Sequence, residues 1–569
     1  MPTDLKLTLA QINPTIGDLD GNIALMRDAA RDARAEGSTL VIFPELALTG
    51  YYPADLLDDE EFAQRVLAAI PTLMRESAAQ PGLYWVVGAP TVNAGVGKRF
   101  HNSLLVLKDG EVLLEYHKQL LPTYDVFDER RHFEPGPDVA RVLEIGGARV
   151  GFMICEDGWN DKGKDYLVNP FTRLRDAAPD IVVSINASPS NVGQRAVRHG
   201  IYCAASARHR LPIVYVNQVG GHDQLVFDGS SFVVDPVAGV VFEAKSFEPH
   251  IATLTLRARR FATADGRPLN SPVGPNLNPF EFYRRQIVLG LRDYATRCGF
   301  RSAVVGSSGG IDSALTLALA VEALGAANVV AITMPSQFSS GGSVSDSQRL
   351  CENLGIPLLT HPIRELVERY RAEFLACTGT ELAGVSLENL QARIRGTILM
   401  EYSNRFGHLL LTTGNKSEIS VGYCTLYGDT NGGLGAIGDL YKTEVFGLCR
   451  HLNDSAGREL IPQAILDKPP SAELAPGQKD TDSLPPYEVL DEILKALIEG
   501  ANLEAGERAH AEREVQRLKA SDEGRALIAR VKRMIARNEY KRRQAPPILR
   551  LRPRAFGTGR QFPIAARYA

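Results

Sequence analysis

The chain has 569 residues, of which 44% are hydrophobic and 23% charged, with a formal net charge of −4. This length predicts two or three domains, and the acidic balance argues against a protein that coats nucleic acid. Seven cysteines without a Cys-x-x-Cys pair argue against a disulfide framework or a structural zinc site. The sequence shows neither a signal peptide nor an apolar run long enough to span a membrane. We therefore predict a soluble, cytoplasmic protein without nucleic-acid or membrane partners.

The first half alternates short strands with helices. Apolar runs predict strands over residues 5–10, 39–43, 85–87, 150–154, 181–185 and 213–216. Turn residues predict two hairpins, one at Asp109-Gly110 and one at Val237–Gly239. Buried strands separated by helices indicate a layered α/β domain.

Two residues with reactive side chains stand at the ends of these strands, and a third lies between them in the chain. Glu45 and Cys155 each follow an apolar run, and Lys118 follows Tyr116 and His117. Taken singly, such a cysteine is more often a small buried hydrophobe, and a lone Glu or Lys is usually a surface charge. Together they fit amide hydrolysis, in which a thiolate attacks, a carboxylate accepts the proton and an ammonium stabilises the oxyanion.

The sequence around these residues resembles the nitrilase superfamily, and specifically the glutaminase domain that is fused to NAD synthetases. The resemblance covers roughly residues 5–260. The matching runs are Leu48–Tyr51, His117–Pro122, Phe127–Arg131 and Asn186–Pro189. It implies a nitrilase-like α-β-β-α sandwich in which Glu45 is the proton acceptor, Lys118 the oxyanion stabiliser and Cys155 the nucleophile.

The same resemblance implies how glutamine is bound. Tyr124 and Ser188 are expected to contact it. The family usually has a basic residue six positions after this serine, but the position holds Gln194, so the adjacent Arg195 is a second candidate. Glu129 either orients the lysine or pairs with a neighbouring arginine.

A change of composition marks the boundary between two domains. Residues 265–279 contain prolines at 268, 272, 275 and 279, with Gly and Asn between them. Such residues interrupt regular structure, so we predict a linker at 265–279 between domains at 1–264 and 280–569.

The second half alternates strands and helices more regularly. We predict helices over 280–299, 312–324, 345–354 and 387–406, and strands over 302–305, 329–334 and 409–412. This order indicates parallel βαβ units in a doubly wound sheet. Residues 467–486 are rich in Pro, Gly and charge and are predicted to form a mobile loop.

A glycine- and serine-rich loop connects the first of these strands to its helix. It consists of Gly306, Ser307, Ser308, Gly309, Gly310, Ile311, Asp312 and Ser313. Glycines allow close approach to a phosphate, N–H groups at a helix start bind anions, and an aspartate can hold phosphate through magnesium. The loop has neither the Walker lysine nor the G-x-G-x-x-G spacing. The alternative is an ordinary glycine-rich turn.

The run Ser-Gly-Gly-x-Asp-Ser in this loop resembles the pyrophosphate loop of the N-type ATP pyrophosphatases. Four later runs resemble the NAD synthetase branch of that family: Thr412–Glu418, Tyr427–Asp429, Gly438–Val445 and Lys468–Leu474. The resemblance implies a Rossmann-like, adenine nucleotide alpha hydrolase-like domain in which the loop and Thr413 bind ATP.

The resemblance also implies the roles of four further polar residues. Asp312 and Glu418 are expected to bind Mg²⁺, and Asn389, Glu418 and Lys541 to contact deamido-NAD. Asn389 is alternatively a helix cap, and Lys541 alternatively part of an exposed basic run.

The predicted enzyme is a carbon–nitrogen ligase that converts deamido-NAD, ATP and glutamine to NAD, AMP, pyrophosphate and glutamate. The resemblance further implies a homo-oligomer with an ammonia tunnel. Three alternatives remain on sequence grounds: another glutamine amidotransferase of this type, a free-standing nitrilase-type amidase, and a non-catalytic nucleotide sensor.

Overall fold

The computed structural model describes residues 4–273 and 277–566. The chain divides into two compact units. Unit 1 comprises Met1–Gly220 and Val226–Asn276, and unit 2 comprises Gly221–Leu225 and Leu277–Ala569. Residues 274–276 of the predicted linker, and 1–3 and 567–569 of the predicted domains, lie outside the described residues.

Two sheets dominate the first 263 residues. The strands are β1 (Leu5–Gln11), β2 (Leu40–Ile42), β3 (Tyr84–Val92), β4 (Phe100–Lys108), β5 (Glu111–His117), β6 (Val142–Ile145), β7 (Ala148–Ile154), β8 (Ile181–Asn186), β9 (Ile213–Asn217), β10 (Val219–His222), β11 (Leu225–Asp228), β12 (Phe232–Asp235), β13 (Gly239–Glu243), β14 (His250–Arg257) and β15 (Arg260–Thr263). The helices are α1 (Leu19–Ala35), α2 (Glu60–Ala78), α3 (Pro170–Ala177) and α4 (Gln194–His209). One sheet has the order β15-β14-β1-β2-β3-β4-β5 and the other β13-β12-β9-β8-β7-β6, while β10 and β11 form a separate pair.

Side chains on one face of each sheet form the core between the two sheets. Side chains on the opposite faces pack against the helices. Leu7 of β1 and both Phe152 and Ile154 of β7 belong to one core between the sheets. Met153, on the opposite face of β7, packs with Phe171 of α3. Helices α1 and α2 contact the first sheet, and α4 contacts the second. The predicted α-β-β-α sandwich is confirmed.

All six predicted strands of this half are present, and so are both hairpins. At the first hairpin, Asp109 and Gly110 have φ of 50° and 88° between the paired strands β4 and β5. Two positive φ values suit the right-handed twist of a tight hairpin, and Gly adopts them without a steric penalty. The second hairpin joins β12 to β13.

Unit 2 contains a five-stranded parallel sheet and most of the helices. Its strands are β16 (Ala303–Gly306), β17 (Val329–Thr333), β18 (Leu358–Thr360), β19 (Leu409–Thr412) and β20 (Leu434–Gly435). Its helices are α5 (Pro279–Arg297), α6 (Ile311–Leu324), α7 (Gly341–Leu354), α8 (Arg364–Thr378), α9 (Val385–Phe406), α10 (Lys416–Val421), α11 (Lys442–Ala456), α12 (Gln463–Asp467), α13 (Tyr487–Leu494), α14 (Ala505–Lys519), α15 (Asp522–Arg537) and α16 (Glu539–Arg542). The predicted helix at 345–354 begins earlier, because the Ser340 side chain accepts a hydrogen bond from the Ser343 amide and caps it.

The strand order β18-β17-β16-β19-β20 explains where a ligand can bind. The chain runs outward from β16 to β18 and then returns to β19 on the other side of β16. Right-handed crossovers therefore place α6 and α7 on one face and α8 and α9 on the other, which confirms the predicted doubly wound sheet. The loop after β16 lies at the point where the order reverses, the usual ligand position in such sheets.

Candidate active sites

A buried ammonium joins two carboxylates in unit 1. Lys118 Nζ lies 2.7 Å from Glu45 Oε1 and 2.7 Å from Glu129 Oε1, and all three side chains are inaccessible to solvent. Although burial opposes its charge, Glu129 and Glu45 raise the pKa of Lys118 well above its usual value. Buried charges are tolerated when they are paired in this way. Glu129 therefore contacts Lys118 directly, as one of the two sequence interpretations expected.

Further hydrogen bonds fix the direction of both carboxylates. The Ala187 amide donates to Glu45 Oε2 at 2.9 Å, and Asn102 Nδ2 donates to Glu45 Oε1 at 2.8 Å. Tyr51 donates from its hydroxyl to Glu129 Oε1 at 2.8 Å. The sequence analysis did not identify Asn102, whose only local signal is a polar side chain within the apolar run of β4.

Cys155 lies where β7 ends and the 3₁₀ turn Cys155–Gly158 begins. Its φ of 42° is in the left-handed region, a strained conformation for a residue with a Cβ and one that is frequent at functional sites. Burial raises the pKa of its thiol well above the usual value, with Glu45 adding to the rise and Lys118 opposing it. The resting thiol is therefore protonated and needs a base before it can attack.

Asp157 connects this turn to the segment that carries Lys118. Its Oδ1 accepts hydrogen bonds from the amides of Gln119 at 3.0 Å and Leu120 at 2.9 Å. Its Oδ2 accepts from the Tyr116 hydroxyl at 2.7 Å and the Ile154 amide at 3.1 Å. One buried carboxylate thus positions the residues next to both Lys118 and Cys155, a role that sequence spacing did not reveal.

Unit 2 contains a cavity of about 560 Å³ at the end of the parallel sheet. All eight residues of the loop Gly306–Ser313 line it, together with Thr413 and Glu418. Gly309 has a φ of +73°, and a Cβ there would come within 2.3 Å of the Ser343 carbonyl oxygen, so the loop requires glycine. N–H groups at the start of a helix bind anions, so this wall suits a phosphate group, and its binding of ATP stays a prediction.

Two carboxylates share one ammonium at the edge of the cavity. Lys442 Nζ lies 2.5 Å from Asp312 Oδ2 and 3.5 Å from Glu418 Oε1. Asn415 Nδ2 donates to the other oxygen of Asp312 at 2.8 Å. Burial and the charge of Asp312 raise the pKa of Glu418 to about 8 despite Lys442, although 18% of its side chain is exposed. Two carboxylates beside the glycine-rich loop fit Mg²⁺, which takes one or two protein carboxylates and completes its shell with phosphate and water.

Comparison with known proteins identifies the family. A carbon-nitrogen hydrolase family model matches residues 6–263, and an NAD synthase family model matches residues 283–545. A glutamine-dependent NAD(+) synthetase of Synechocystis sp. is 42% identical over 98% of both chains, and one of Thermotoga maritima is 39% identical over 99% of both. The chain belongs to the glutamine-dependent NAD(+) synthetase family.

A solved structure agrees with this membership. The glutamine-dependent NAD(+) synthetase of Acinetobacter baumannii, solved in complex with adenosine diphosphate, has a TM-score of 0.76 and 36% identity. The comparison covers 99% of this chain and 98% of the other. The family and the paired folds predicted from the sequence are confirmed, and a free-standing amidase is excluded because this chain carries both halves.

The residues predicted to contact glutamine all have hydrogen-bond partners within the protein or lie at the start of a helix. The Tyr124 hydroxyl donates to Glu156 Oε2 at 3.0 Å, close to Cys155 in the chain. Ser188 is buried, and its amide donates to Asn217 Oδ1 at 2.9 Å. Arg195 donates from Nε to Glu243 Oε1 at 2.6 Å, and the half-buried Gln194 begins α4. Which of these two holds the glutamine carboxylate stays a prediction.

Asn389 and Lys541 are not among the residues that line the cavity, but both bind the segment that does. The Thr425 hydroxyl donates to Asn389 Oδ1 at 2.7 Å. Lys541 donates from Nζ to the carbonyl oxygens of Gly422 at 2.8 Å and Cys424 at 2.7 Å. Their contact with deamido-NAD stays a prediction, and in this geometry both support the cavity wall.

The predicted loop at 467–486 lies against the phosphate loop. Lys468 Nζ donates to the Gly309 carbonyl oxygen at 3.1 Å and forms an ion pair with Asp346. Glu473 Oε1 accepts from the Ser343 hydroxyl at 2.7 Å and from the Ser340 hydroxyl at 3.0 Å. The segment has little regular structure, and it contributes part of the cavity wall.

Among the described residues, no helix combines the length and the apolar character needed to cross a membrane.

Proposed function

We propose that this chain amidates deamido-NAD to NAD, with glutamine as the nitrogen source and ATP as the activating cosubstrate. The observation that carries the proposal is the presence of two chemically complementary sites in one chain. Unit 1 has a thiol beside a buried Glu–Lys–Glu cluster, and unit 2 has a phosphate loop with two carboxylates at its edge. We assign the glutaminase to residues 1–264 and the synthetase to residues 280–569, joined by a linker at 265–279.

In the first reaction Cys155 attacks the side-chain amide of glutamine. Glu45 accepts the thiol proton, which burial keeps on the sulfur until substrate binds, and returns it to the departing ammonia. Lys118 stabilises the oxyanion, and Glu129 holds that ammonium in position. Water then releases glutamate and restores the thiol.

Several polar side chains of unit 1 suit the two charged groups on the α-carbon of glutamine. The Glu156 carboxylate, which accepts hydrogen bonds from Tyr124 and Tyr166, suits the α-ammonium group. Tyr124 and Ser188 contact the substrate, and Arg195 or Gln194 takes the carboxylate. Arg195 would have to exchange its contact with Glu243 to do so.

In the second reaction the nicotinate carboxylate is activated. One of its oxygens attacks the α-phosphorus of ATP and pyrophosphate leaves from the loop Gly306–Ser313, which offers N–H groups and no Walker lysine. Ammonia then attacks the carboxyl carbon of this adenylate, and AMP leaves with the transferred oxygen. Asp312 and Glu418 are the residues that would hold Mg²⁺, which when bound neutralises phosphate charge. Thr413 contacts ATP, and Asn389, Glu418 and Lys541 contact deamido-NAD.

An oxygen-18 label in the substrate carboxylate tests the adenylation route. The full-length protein is incubated with glutamine, ATP, Mg²⁺ and deamido-NAD that carries oxygen-18 in its carboxylate. Mass spectrometry should find NAD, and AMP that contains one labelled oxygen. Formation of ADP and phosphate, or unlabelled AMP, would falsify the adenylation route. We also propose that the protein acts in the cytoplasm. We further propose that it is a homo-oligomer, and light scattering of the purified protein tests that oligomeric state.

A further inference from the structure

We propose that Asp55, Asp58 and His132 form a binding site for a divalent transition-metal ion such as zinc, separate from the magnesium position in unit 2. The three side chains bring one oxygen or nitrogen donor each to within 4.8 Å of one another. His132 Nε2 lies 3.1 Å from Asp55 Oδ1 and 3.5 Å from Asp58 Oδ2. Two ligands that are roughly 2.0–2.1 Å from a tetrahedral zinc ion lie about 3.4 Å apart, so these separations match metal coordination.

The His132 imidazole is stronger evidence for a metal site than the two exposed carboxylates, because it is buried and its Nε2 points at both of them. The residue is only 5% exposed, and its Nε2 receives no aligned hydrogen bond from any residue in the described ranges 4–273 and 277–566. Nε2 is within ion-pair distance of Asp55 but is not aligned for a hydrogen bond, and buried polar atoms normally have an aligned partner. A metal ion between the imidazole and the two carboxylates would supply that partner. Imidazole nitrogen with carboxylate oxygens is a donor set that zinc and similar ions accept.

The neighbour of the other ring nitrogen determines which nitrogen carries the proton. Tyr52 donates from its hydroxyl to the Asp128 carbonyl oxygen at 3.0 Å, which uses its only proton. The same hydroxyl lies 2.5 Å from His132 Nδ1, and with its proton on the Asp128 side it accepts a hydrogen bond from Nδ1–H. A neutral His132 then has its lone pair on Nε2, directed at the carboxylates. That arrangement is repulsive unless a cation lies between them, and second-shell bonds of this kind orient histidine ligands in metal sites.

One contact competes with the metal. Arg131 lies 3.1 Å from Asp55 Oδ1 through Nε, and donates from Nη2 to Oδ2 at 3.1 Å. Both side chains are more than half exposed, so this ion pair contributes little and the carboxylate can turn towards an ion. Asp55 and Asp58 are open to solvent, which gives the ion a path and leaves room for water ligands.

The position suggests a bracing role. Asp55 and Asp58 belong to the 3₁₀ turn Ala54–Asp58, and His132 directly follows the turn Glu129–Arg131. Lys118 donates a hydrogen bond to Glu129, and so does Tyr51. An ion at this site would therefore connect the two turns whose neighbouring residues, Tyr51 and Glu129, hold Lys118 in place. This role rests on the proposed function, whereas metal binding itself does not.

Cobalt(II) binding tests the site without any enzyme assay. The full-length protein is stripped with chelator and titrated with cobalt(II), without ATP or Mg²⁺, while visible d–d absorption is recorded. We expect one equivalent to bind and zinc to displace it. Asp58→Asn and His132→Gln should each weaken cobalt binding at least about tenfold, as expected for losing a ligand. Asp312→Asn, which changes the carboxylate pair in unit 2, should bind cobalt like the parent.

A second measurement protects the test against misfolding. Asp58 has 69% of its side chain exposed, so Asp58→Asn cannot disturb the core, and it decides the question if His132→Gln does not fold. At a zinc concentration near the dissociation constant of the parent, zinc should raise the melting temperature of the parent clearly more than that of Asp58→Asn. Failure of the parent to bind cobalt, or unchanged binding in either folded variant, overturns the proposal and leaves a proton as the cation at Nε2. Failure of NAD synthesis with normal cobalt binding would instead count only against the proposed function.

Discussion

Lys118 contributes one positive charge to a buried site that contains two carboxylates, Glu45 and Glu129. The pair of ion contacts explains why a lysine can be fully buried without losing its proton. The remaining negative charge has a chemical use, because the Cys155 thiol needs an acceptor for its proton. Glu45 is oriented for that task by the Ala187 amide and by Asn102, which leave it little freedom to rotate.

Asp157→Asn should slow glutamine hydrolysis roughly ten- to a hundredfold. An amide presents an N–H₂ group where Oδ2 now accepts two hydrogen bonds, and such an unsatisfied buried contact costs about 1–3 kcal/mol. The loss should appear in kcat for glutamine, with NAD formation from ammonium unchanged. Asp176→Asn, at an exposed carboxyl paired with Arg175, is the matched control.

A pH profile distinguishes this positioning role from general destabilisation. Burial raises the pKa of Asp157 to about 6 from the usual 3.8. Below that pH the carboxyl gains a proton and loses an acceptor, so parental glutaminase activity should fall as pH decreases through about 6. The Asn variant should lack this transition. A transition of the same size in the variant would assign the pH dependence to another group.

Magnesium binding at Asp312 and Glu418 should become stronger with rising pH. Because burial and Asp312 raise the pKa of Glu418 to about 8, above its usual 4.5, this carboxyl holds a proton at pH 7. Bound metal must displace that proton, so affinity should decrease by up to about tenfold for each pH unit below 8. Calorimetric titration of the protein with Mg²⁺, in buffers of different ionisation enthalpy, should detect proton release, which Glu418→Gln should reduce.

At the level of elements, local patterns predicted most of the fold. The hairpin at Asp109-Gly110 was predictable because two adjacent residues determine its geometry. The helix at 345–354 was predicted too short because Gly341 and Gly342 weaken a helical pattern, whereas the Ser340 cap extends it. The loop Gly306–Ser313 was predictable because strand, glycines and helix are consecutive.

Contacts between distant segments were not predictable in the same way. Glu45 and Ala187 are 142 positions apart, and Lys442 lies 130 positions after Asp312. No local period connects such residues, so Glu45, Lys118 and Cys155 were grouped in advance by their chemistry and by the resemblance to a family. Lys442 belongs to a run that resembles the family, but nothing in the sequence pairs it with Asp312, and the contacts of Asp157 likewise required the folded chain.

The loop at 467–486 should become more protected when ATP binds. It contacts the phosphate loop through Lys468 and Glu473 and supplies part of the cavity wall. Amide hydrogen exchange over 470–479 should therefore slow on addition of ATP and Mg²⁺. Lys468→Ala should raise KM for ATP roughly tenfold, the equivalent of about 1.5 kcal/mol for a charge-assisted hydrogen bond. Lys532→Ala, an exposed lysine of α15, should leave both measurements unchanged.

At the level of the whole molecule, the two chemistries should be separable by single substitutions. Cys155→Ala should abolish NAD formation from glutamine and preserve it from high ammonium, because the nucleophile acts only in ammonia release. Asp312→Asn should abolish formation from both nitrogen sources while leaving glutamine hydrolysis measurable. Parental glutamine hydrolysis in Cys155→Ala, or normal ammonium-dependent synthesis in Asp312→Asn, would contradict the assigned roles.

Mixing these two variants tests how ammonia reaches the synthetase. Asp312→Asn still releases ammonia, and Cys155→Ala still consumes it, but the two activities now belong to different chains. Ammonia that enters bulk water is diluted and protonated, so the mixture should form NAD from glutamine far more slowly than the parent at equal protein concentration. Its rate should also increase steeply with protein concentration and with pH, whereas the parent's rate per enzyme should be independent of concentration. The two variants are purified separately and mixed immediately before assay, which limits exchange of subunits in a homo-oligomer. A mixture as fast as the parent at low protein concentration would mean that free diffusion supplies the synthetase and that fusion of the two activities does not protect the ammonia.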